Sequence, residues 1–248
     1  MSFASDPPVA VIWHDVECGA YTADLEIWHE LARSSRGALL DLGSGTGRVA
    51  IELAAAGADV TAVDSDPELL AVLERRARRR GVDLATVRAD VRELDLGRRF
   101  ALILAPMQLV HLLGGPEGRG GMLRRAASHL ADRGRIAIAL LADEAGAGGG
   151  EPAPLPDIAE VEGWTYSSLP IEVASRDGVL ELRRLRQTVS PGGDLDEALD
   201  VTRLDLVSPD ELESEAAAAG LRPEARLPIA ATADHVGSTV VVFGRERD

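Results

Sequence analysis

Asp41-Leu42-Gly43-Ser44-Gly45-Thr46-Gly47 is the stretch on which the reading of this chain turns. Ahead of it, Ala38 to Leu42 is a short apolar run of the kind that forms a parallel strand buried on both faces. Behind it, Val49 to Ala56 reads as a helix closed by Gly57. Three glycines at alternate positions let the backbone turn tightly and let a ligand approach with no side chain in the way. The N-terminus of the next helix adds free N–H groups and the positive end of a dipole. The dinucleotide fingerprint G-x-G-x-x-G would need glycine at position 48, where Arg48 stands. An acidic residue two positions before the first glycine is foreign to that fingerprint as well.

Outward from the loop, strands and helices alternate. Thr22–Arg33 reads as a helix, with Leu25, Trp28, His29 and Leu31 at helical spacing. Asp59–Asp64 is the next strand, and Asp66-Pro67 caps a helix that Gly81 ends. Leu84–Val87, Phe100–Ala105 and Arg135–Leu140 are further strands, with a helix over Gly121–Leu130. This order implies parallel pairing through right-handed crossovers. The pattern then changes. Asp143–Pro156 is rich in Gly, Pro and Ala and reads as a flexible connection. Tyr166–Ser175, Val179–Val189 and Leu195–Val207 follow as an antiparallel meander, punctuated by Asp177-Gly178 and Pro191-Gly192-Gly193. Ser208-Pro209-Asp210-Glu211 is a capping box, opening a helix to Ala219, and Leu221–Gly244 holds two more strands.

At the glycine loop the chain resembles the class I S-adenosylmethionine-dependent methyltransferases, whose first motif is an acidic residue followed by G-x-G-x-G. The resemblance covers residues 38–141 well and the rest more loosely. It implies a fold class of α/β type: a doubly wound, mostly parallel seven-stranded sheet (Rossmann-like), with the meander inserted after the fifth strand. It implies S-adenosyl-L-methionine as cofactor, held by Asp41, Gly43, Ser44, Gly45 and Gly47. Asp64 with Ser65 stands where the family's second acid takes the ribose hydroxyls, and a carboxylate can accept from both. Asp90 with Val91 matches the acid that receives the adenine amino group. Ala105 and Met107, in Leu104-Ala105-Pro106-Met107-Gln108, fall where the family places the methyl group. The expected organisation is one methyltransferase domain over 1–248: an N-terminal helical lid at 1–36, a cofactor-binding core at 37–142, the meander at 160–207, and a helix with strands at 208–248 completing the sheet.

The resemblance implies in-line displacement, where positioning supplies most of the acceleration and a base is needed only for a protonated nucleophile. Ala105-Pro106-Met107-Gln108 lacks the Asn/Asp-Pro-Pro-aromatic motif of base and glutamine methyltransferases, and it also lacks the aspartate base of aminopropyl transferases. His111 is the candidate catalytic residue, either as a base or, more blandly, as a helix-face histidine bonded to backbone. Tyr21 and Gln108 are candidate substrate residues, against core packing and turn capping as plainer roles. His14, His235, Glu17 and Cys18 carry no assignment. The meander is open to three roles: a substrate lid hinged at the Gly/Pro stretch, an extension of the sheet edge, or a dimer contact.

Composition narrows the partners. The 248 residues carry a net charge of −15, from 41 acidic and 26 basic side chains, and every basic one is arginine. Without lysine there is no Schiff-base or Walker-type chemistry, and the acid surplus disfavours a nucleic-acid partner. Arg75-Arg76-Ala77-Arg78-Arg79-Arg80 reads as a solvated helix end. Cys18 is the lone cysteine, so neither a disulfide nor a cysteine zinc cluster is expected. There is no leader-like or membrane-spanning run, and the expected location is cytoplasmic. The expectation is thus methyl transfer to a small-molecule acceptor, without nucleic acid, membrane or metal. The alternative is a binding module without turnover.

Overall fold

The computed structural model describes residues 8–141, 155–232 and 235–245. The Gly/Pro-rich connection falls mostly outside them, and with it the expected hinge. The chain opens with α1 (Val9–Cys18) and α2 (Leu25–Arg33), then runs through β1 (Leu39–Leu42), α3 (Arg48–Ala55), β2 (Val60–Asp64), α4 (Pro67–Arg80), β3 (Ala85–Arg88) and β4 (Phe100–Ala105). A 3-10 turn (Leu109–Leu112), α5 (Gly115–Ser128) and β5 (Leu130–Leu141) follow. Next come β6 (Asp157–Val161), β7 (Trp164–Arg176), β8 (Val179–Val189) and β9 (Leu195–Asp205), then α6 (Pro209–Ala217), β10 (Leu221–Ile229) and β11 (Ser238–Arg245).

The main sheet has seven strands in the order β10-β11-β5-β4-β1-β2-β3. β1 to β5 pair in parallel, and β11 enters antiparallel between β5 and β10. The expected doubly wound fold is present. Side chains on one face, including Leu40, Leu42, Ile103 and Ile138, pack with Met122, Leu123 and Leu212 of α5 and α6. Those on the other, including Leu39, Ala62, Leu102 and Leu104, pack with Trp28, Leu53 and Leu73 of α2, α3 and α4. Burial on both faces is why these strands read as continuous apolar runs. The chain order reverses between β1 and β4, and ligands of such sheets bind at the carboxyl ends of the strands at that switch. The glycine loop and Ala105–Gln108 both leave the sheet there.

Three elements differ from the sequence reading. Val9–Cys18 is helical although no helix was expected before Thr22. α5 starts at Gly115, six residues early, because Arg119 inside it is buried and bonded through Nε and Nη2 to Glu215 of α6. Four glycines in Gly115–Gly121 lower helix propensity by about 1 kcal/mol each, and tertiary contact overrides them. The meander also gains a strand, β6, and forms its own sheet in the order β6-β7-β8-β9. It is therefore not an extension of the main sheet's edge, because its strands satisfy their ladders among themselves.

α1 joins the two sheets. Trp13 packs edge-on against Tyr166 of β7, ring centroids 5.4 Å apart. Glu17 accepts from Ser168 Oγ at 2.8 Å and from Arg186 Nε and Nη2 at 2.8 and 2.9 Å. On its other side Asp15 accepts from Thr46 Oγ1 of the glycine loop at 2.7 Å and pairs with Arg76 of α4. The arginine run is largely neutralised in the same way: Arg78 meets Glu74 and Arg80 meets Glu52. Among the described residues no helix is long and apolar enough to cross a membrane.

Burial raises the Asp15 carboxyl, but the bonds from His14, Arg76 and Thr46 outweigh it and hold the group down to about 2. A depressed folded pKa means stabilisation present above the unfolded value near 3.8 and lost as pH falls toward 2. Hydrogen exchange of α1 amides should therefore accelerate, relative to the main sheet, between pH 4 and 2. At pH 7, Asp15→Ala should raise α1 exchange at least about 10-fold, since each charged hydrogen bond is worth about 1.5–3 kcal/mol. Unchanged α1 exchange in that variant would remove the clamp.

Candidate functional site

Gly43, Gly45 and Gly47 all take left-handed backbone, with φ of 64°, 53° and 92°. A Cβ on Gly45 would lie 2.5 Å from His14 Nε2, and one on Gly43 2.8 Å from a Leu109 methyl. The glycines thus serve the chain's own packing as well as the approach of a ligand. Asp64, at the end of β2, pins the loop: Oδ2 accepts from Gly45 N–H at 2.8 Å and Oδ1 from Asp66 N–H at 2.9 Å. Each oxygen keeps further acceptor capacity.

Asp41, the penultimate residue of β1, lies beneath the loop and is 1% exposed. Neither of its carboxylate oxygens has a hydrogen-bond partner, and the Ser44 hydroxyl beside it has none either. Burial pushes the Asp41 carboxyl up to about 7, against the pull of Arg48. Arg48 is itself engaged elsewhere, forking onto Asp24 of the α2 cap at 2.5 and 2.7 Å. Asp90, after β3, accepts from the Arg92 guanidinium and backbone N–H, which hold its carboxyl below the usual range.

Two cavities meet over the ends of β1 and β4. The first, of about 350 Å³, is lined by Gly43, Asp64, Ser65, Asp90, Val91 and Met107, with His14, Leu69 and Leu109 around them. Six of the expected cofactor residues therefore share one cleft. Asp41, Ser44, Gly45, Gly47 and Ala105 do not line it; they form and support its floor. The buried, partnerless oxygens at Asp41 and Ser44 fit a polar ligand that donates hydrogen bonds near the loop.

The second cavity, of about 310 Å³, lies between the main sheet and the meander. Leu140, Leu141, Leu180, Leu182 and Leu204 give it apolar walls, and Tyr21, Gln108, Arg184, Thr202 and His235 supply polar groups. Cys18, Met107 and Gln108 border both cavities. Met107 holds φ at 54° there, a conformation non-glycine residues seldom take. Tyr21 and Gln108, the candidate substrate residues, both line this cavity.

His111 does not. Its Nδ1 donates to the Asp205 carbonyl at 2.8 Å and its Nε2 accepts from Leu141 N–H at 3.1 Å. Burial lowers its pKa. The expectation of a base at His111 is corrected: both nitrogens are spent on backbone, which locks β9 and β5 together. Sequence reasoning left Glu17, Cys18, Arg184 and His235 unassigned, yet all four line the second cavity. The signal for the first two was the helix α1, which went unread; His235 and Arg184 carried none. Burial, with the Glu17 charge, pushes the Cys18 thiol up to about 11.

Comparison with known proteins agrees with this geometry. Residues 39–134 match a family model described as a methyltransferase domain. A curated relative, the cypemycin N-terminal methyltransferase of a Streptomyces species, is 36% identical over 92 residues, which is 37% of each chain. The match thus spans little more than a third of that relative's length. Among solved structures, the CcbJ methyltransferase of Streptomyces caelestis superposes with a TM-score of 0.70 at 23% identity, covering 92% of both chains. The sugar N-methyltransferase KedS8 of a Streptoalloteichus species gives 0.73 at 21% identity, over 100% of this chain and 96% of that one. At such identities the structures establish a shared fold.

The raised pKa of Asp41 has a sign that can be tested. A folded value of about 7 against 3.8 means the folded state holds the proton longer, so stability falls as pH rises across that window. Asp41→Asn, measured without added ligand, should flatten this dependence. Its Tm at pH 8 should exceed that of the unaltered protein by roughly 2–4 °C for each kcal/mol recovered. An Asn variant less stable at pH 8 would show that the carboxylate is solvated or paired.

Proposed function

We propose that the protein, whose residues 39–134 match a methyltransferase-domain model, is a class I S-adenosylmethionine-dependent methyltransferase that transfers a methyl group to a nitrogen of a small-molecule amine seated in the second cavity. The observation that carries this reading is the meeting of the two cavities at Met107 and Gln108. A donor in one and an acceptor in the other then face each other across the border that Cys18, Met107 and Gln108 form. S-adenosylmethionine supplies a methyl on a sulfonium, already activated for displacement.

The chain's residues would divide the work by their chemistry. Asp64 has spare lone pairs for the ribose hydroxyls, and Asp90 has them for the adenine amino group. The orphaned oxygens of Asp41 and Ser44 suit the donors of the methionine end. Gln108, on the border, has both a donor and an acceptor with which to orient the nucleophile. The leucine-rich walls of the second cavity keep water away from the reacting atoms, so that alignment rather than acid–base chemistry lowers most of the barrier. At about 310 Å³ the cavity is at the small end of ligand sites, which favours an acceptor of one or two rings or a short peptide end. The assignment of nitrogen draws support from matched proteins described as N-terminal and sugar N-methyltransferases.

Calorimetry with S-adenosylhomocysteine should show one site. Asp64→Ala removes the acceptor of the Gly45 N–H and of the ribose, and affinity should drop roughly 10–100-fold, the equivalent of about 1.5–3 kcal/mol for a charged hydrogen bond. His111→Gln should leave affinity within about 3-fold. Primary amines incubated with protein and S-adenosylmethionine should release S-adenosylhomocysteine where matched alcohols do not. No binding at millimolar ligand, or identical binding by Asp64→Ala, refutes the cofactor assignment; binding without turnover of any amine makes the protein a sensor.

A further inference from the structure

We propose that His235 is the general base of this reaction, taking the proton from an ammonium acceptor before the nitrogen attacks. This rests on the reading above, in which the acceptor is an amine. An aliphatic amine arrives protonated near neutral pH and has no lone pair to displace sulfur, so a proton must leave first. Some group of the second cavity has to receive it.

The titratable groups of that cavity are five: Glu17, Cys18, Tyr21, Arg184 and His235. Four are unsuited. The Glu17 carboxylate is tied up by Ser168 and by both prongs of Arg186. Cys18 and Tyr21 are both driven toward their neutral, protonated forms by burial. Arg184 is a permanent cation paired with Asp157 at 3.3 Å. An imidazole is the side chain whose lone pair is available around neutral pH, and His235 is the one histidine on this cavity among the described residues.

Its setting suits proton uptake. His235 N–H donates to Thr232 Oγ1 at 3.0 Å, and Nδ1 lies 3.4 Å from the same hydroxyl. Nε2 has no hydrogen-bond partner among the described residues. The ring rests against Tyr21, centroids 4.8 Å apart, and an aromatic face stabilises a cation above it. Asp157 of β6 and Arg184 are the charged groups nearest this side of the cavity, and they pair with each other at 3.3 Å.

The step balances. The R–NH3⁺ nitrogen gives one proton to Nε2, leaving R–NH2 and an imidazolium. The nitrogen lone pair then bonds to the methyl carbon as the carbon–sulfur bond breaks, its electron pair staying on sulfur. The products are R–NH2–CH3⁺ and a neutral thioether, and the imidazolium returns its proton to solvent.

The test uses the full chain saturated with S-adenosylhomocysteine. Cyclohexylamine and its neutral counterpart cyclohexanol are the probes, read by histidine 1H–15N NMR and by calorimetry. Cyclohexylamine should perturb the His235 ring nitrogens, and cyclohexanol should do so several-fold less at equal occupancy. His235→Gln should bind S-adenosylhomocysteine within about 3-fold of the unaltered protein. With an accepted amine it should lose about 10²-fold or more in kcat at pH 7, with most of the rate returning as pH approaches the amine's own pKa. A merely structural role would not give that recovery. Ring signals indifferent to cyclohexylamine, or a pH profile parallel to that of the unaltered protein, overturn the proposal. Loss of S-adenosylhomocysteine binding in the unaltered protein would instead sink the cofactor reading, and methylation confined to alcohols would sink the amine.

Discussion

The carboxylate of Asp64 accepting from the Gly45 N–H is the constraint on which the site depends. Three left-handed glycines in five residues have little conformational preference of their own, so something outside the loop must fix them. Asp64 does so from the end of the neighbouring strand, and the β1–β2 register, Asp41 beside Ala62 and Leu42 beside Val63, brings it level with the loop. The same strand geometry places Asp41 under the loop without partners. One acid satisfies the backbone, while the other is left buried and costly. A buried carboxyl without side-chain partners destabilises the chain.

The helix α1 carries that constraint outward. Four of its last five residues serve three layers: His14 lies over Gly45, Asp15 grips Thr46 and Arg76, Glu17 anchors Ser168 and Arg186 of the meander, and Cys18 borders both cavities. Through this helix the meander is linked to the glycine loop. Order imposed on the loop from the first cavity therefore passes through α1 to one wall of the second. Binding in the first can favour binding in the second with no large motion, provided the shared helix holds its place.

The sequence made the main sheet legible because its strands are buried on both faces and its helices carry caps. Asp66-Pro67 with Gly81 and Ser208 with Glu211 form in the structure as their chemistry dictates. α1 was illegible for the converse reason. Its apolar residues Val11, Ile12, Trp13 and Val16 meet different partners on different sides, so no single stripe marks it, and no side chain caps its start. α5 was cut short because glycines outvote neighbours locally, while the Arg119–Glu215 pair that secures it spans 96 positions. The cofactor side of the site could be read because loop, strand end and acid follow each other along the chain. The second cavity was legible only in Tyr21 and Gln108; Arg184 and His235 join them from distant segments, and the four meet only after the meander folds back.

His111 shows how the distinction works in detail. It sits close in sequence to the residues beside the methyl group, which made it a reasonable base. In the fold its ring bridges the Asp205 carbonyl and the Leu141 N–H, two backbone groups at the ends of strands from different sheets. Protonation would turn Nε2 into a donor facing the Leu141 N–H, so neutrality is part of its structural task. Removing it from the chemistry leaves the chain between β4 and the 3-10 turn with a different duty. Met107 is held at φ 54° between Ala105, fully buried in the sheet, and Leu109, packed over Gly43. Such a conformation costs on the order of 1–3 kcal/mol and persists only when its surroundings over-determine it. Here they do so from both sides, and the kink they enforce turns Met107 and Gln108 toward the space where the two cavities join.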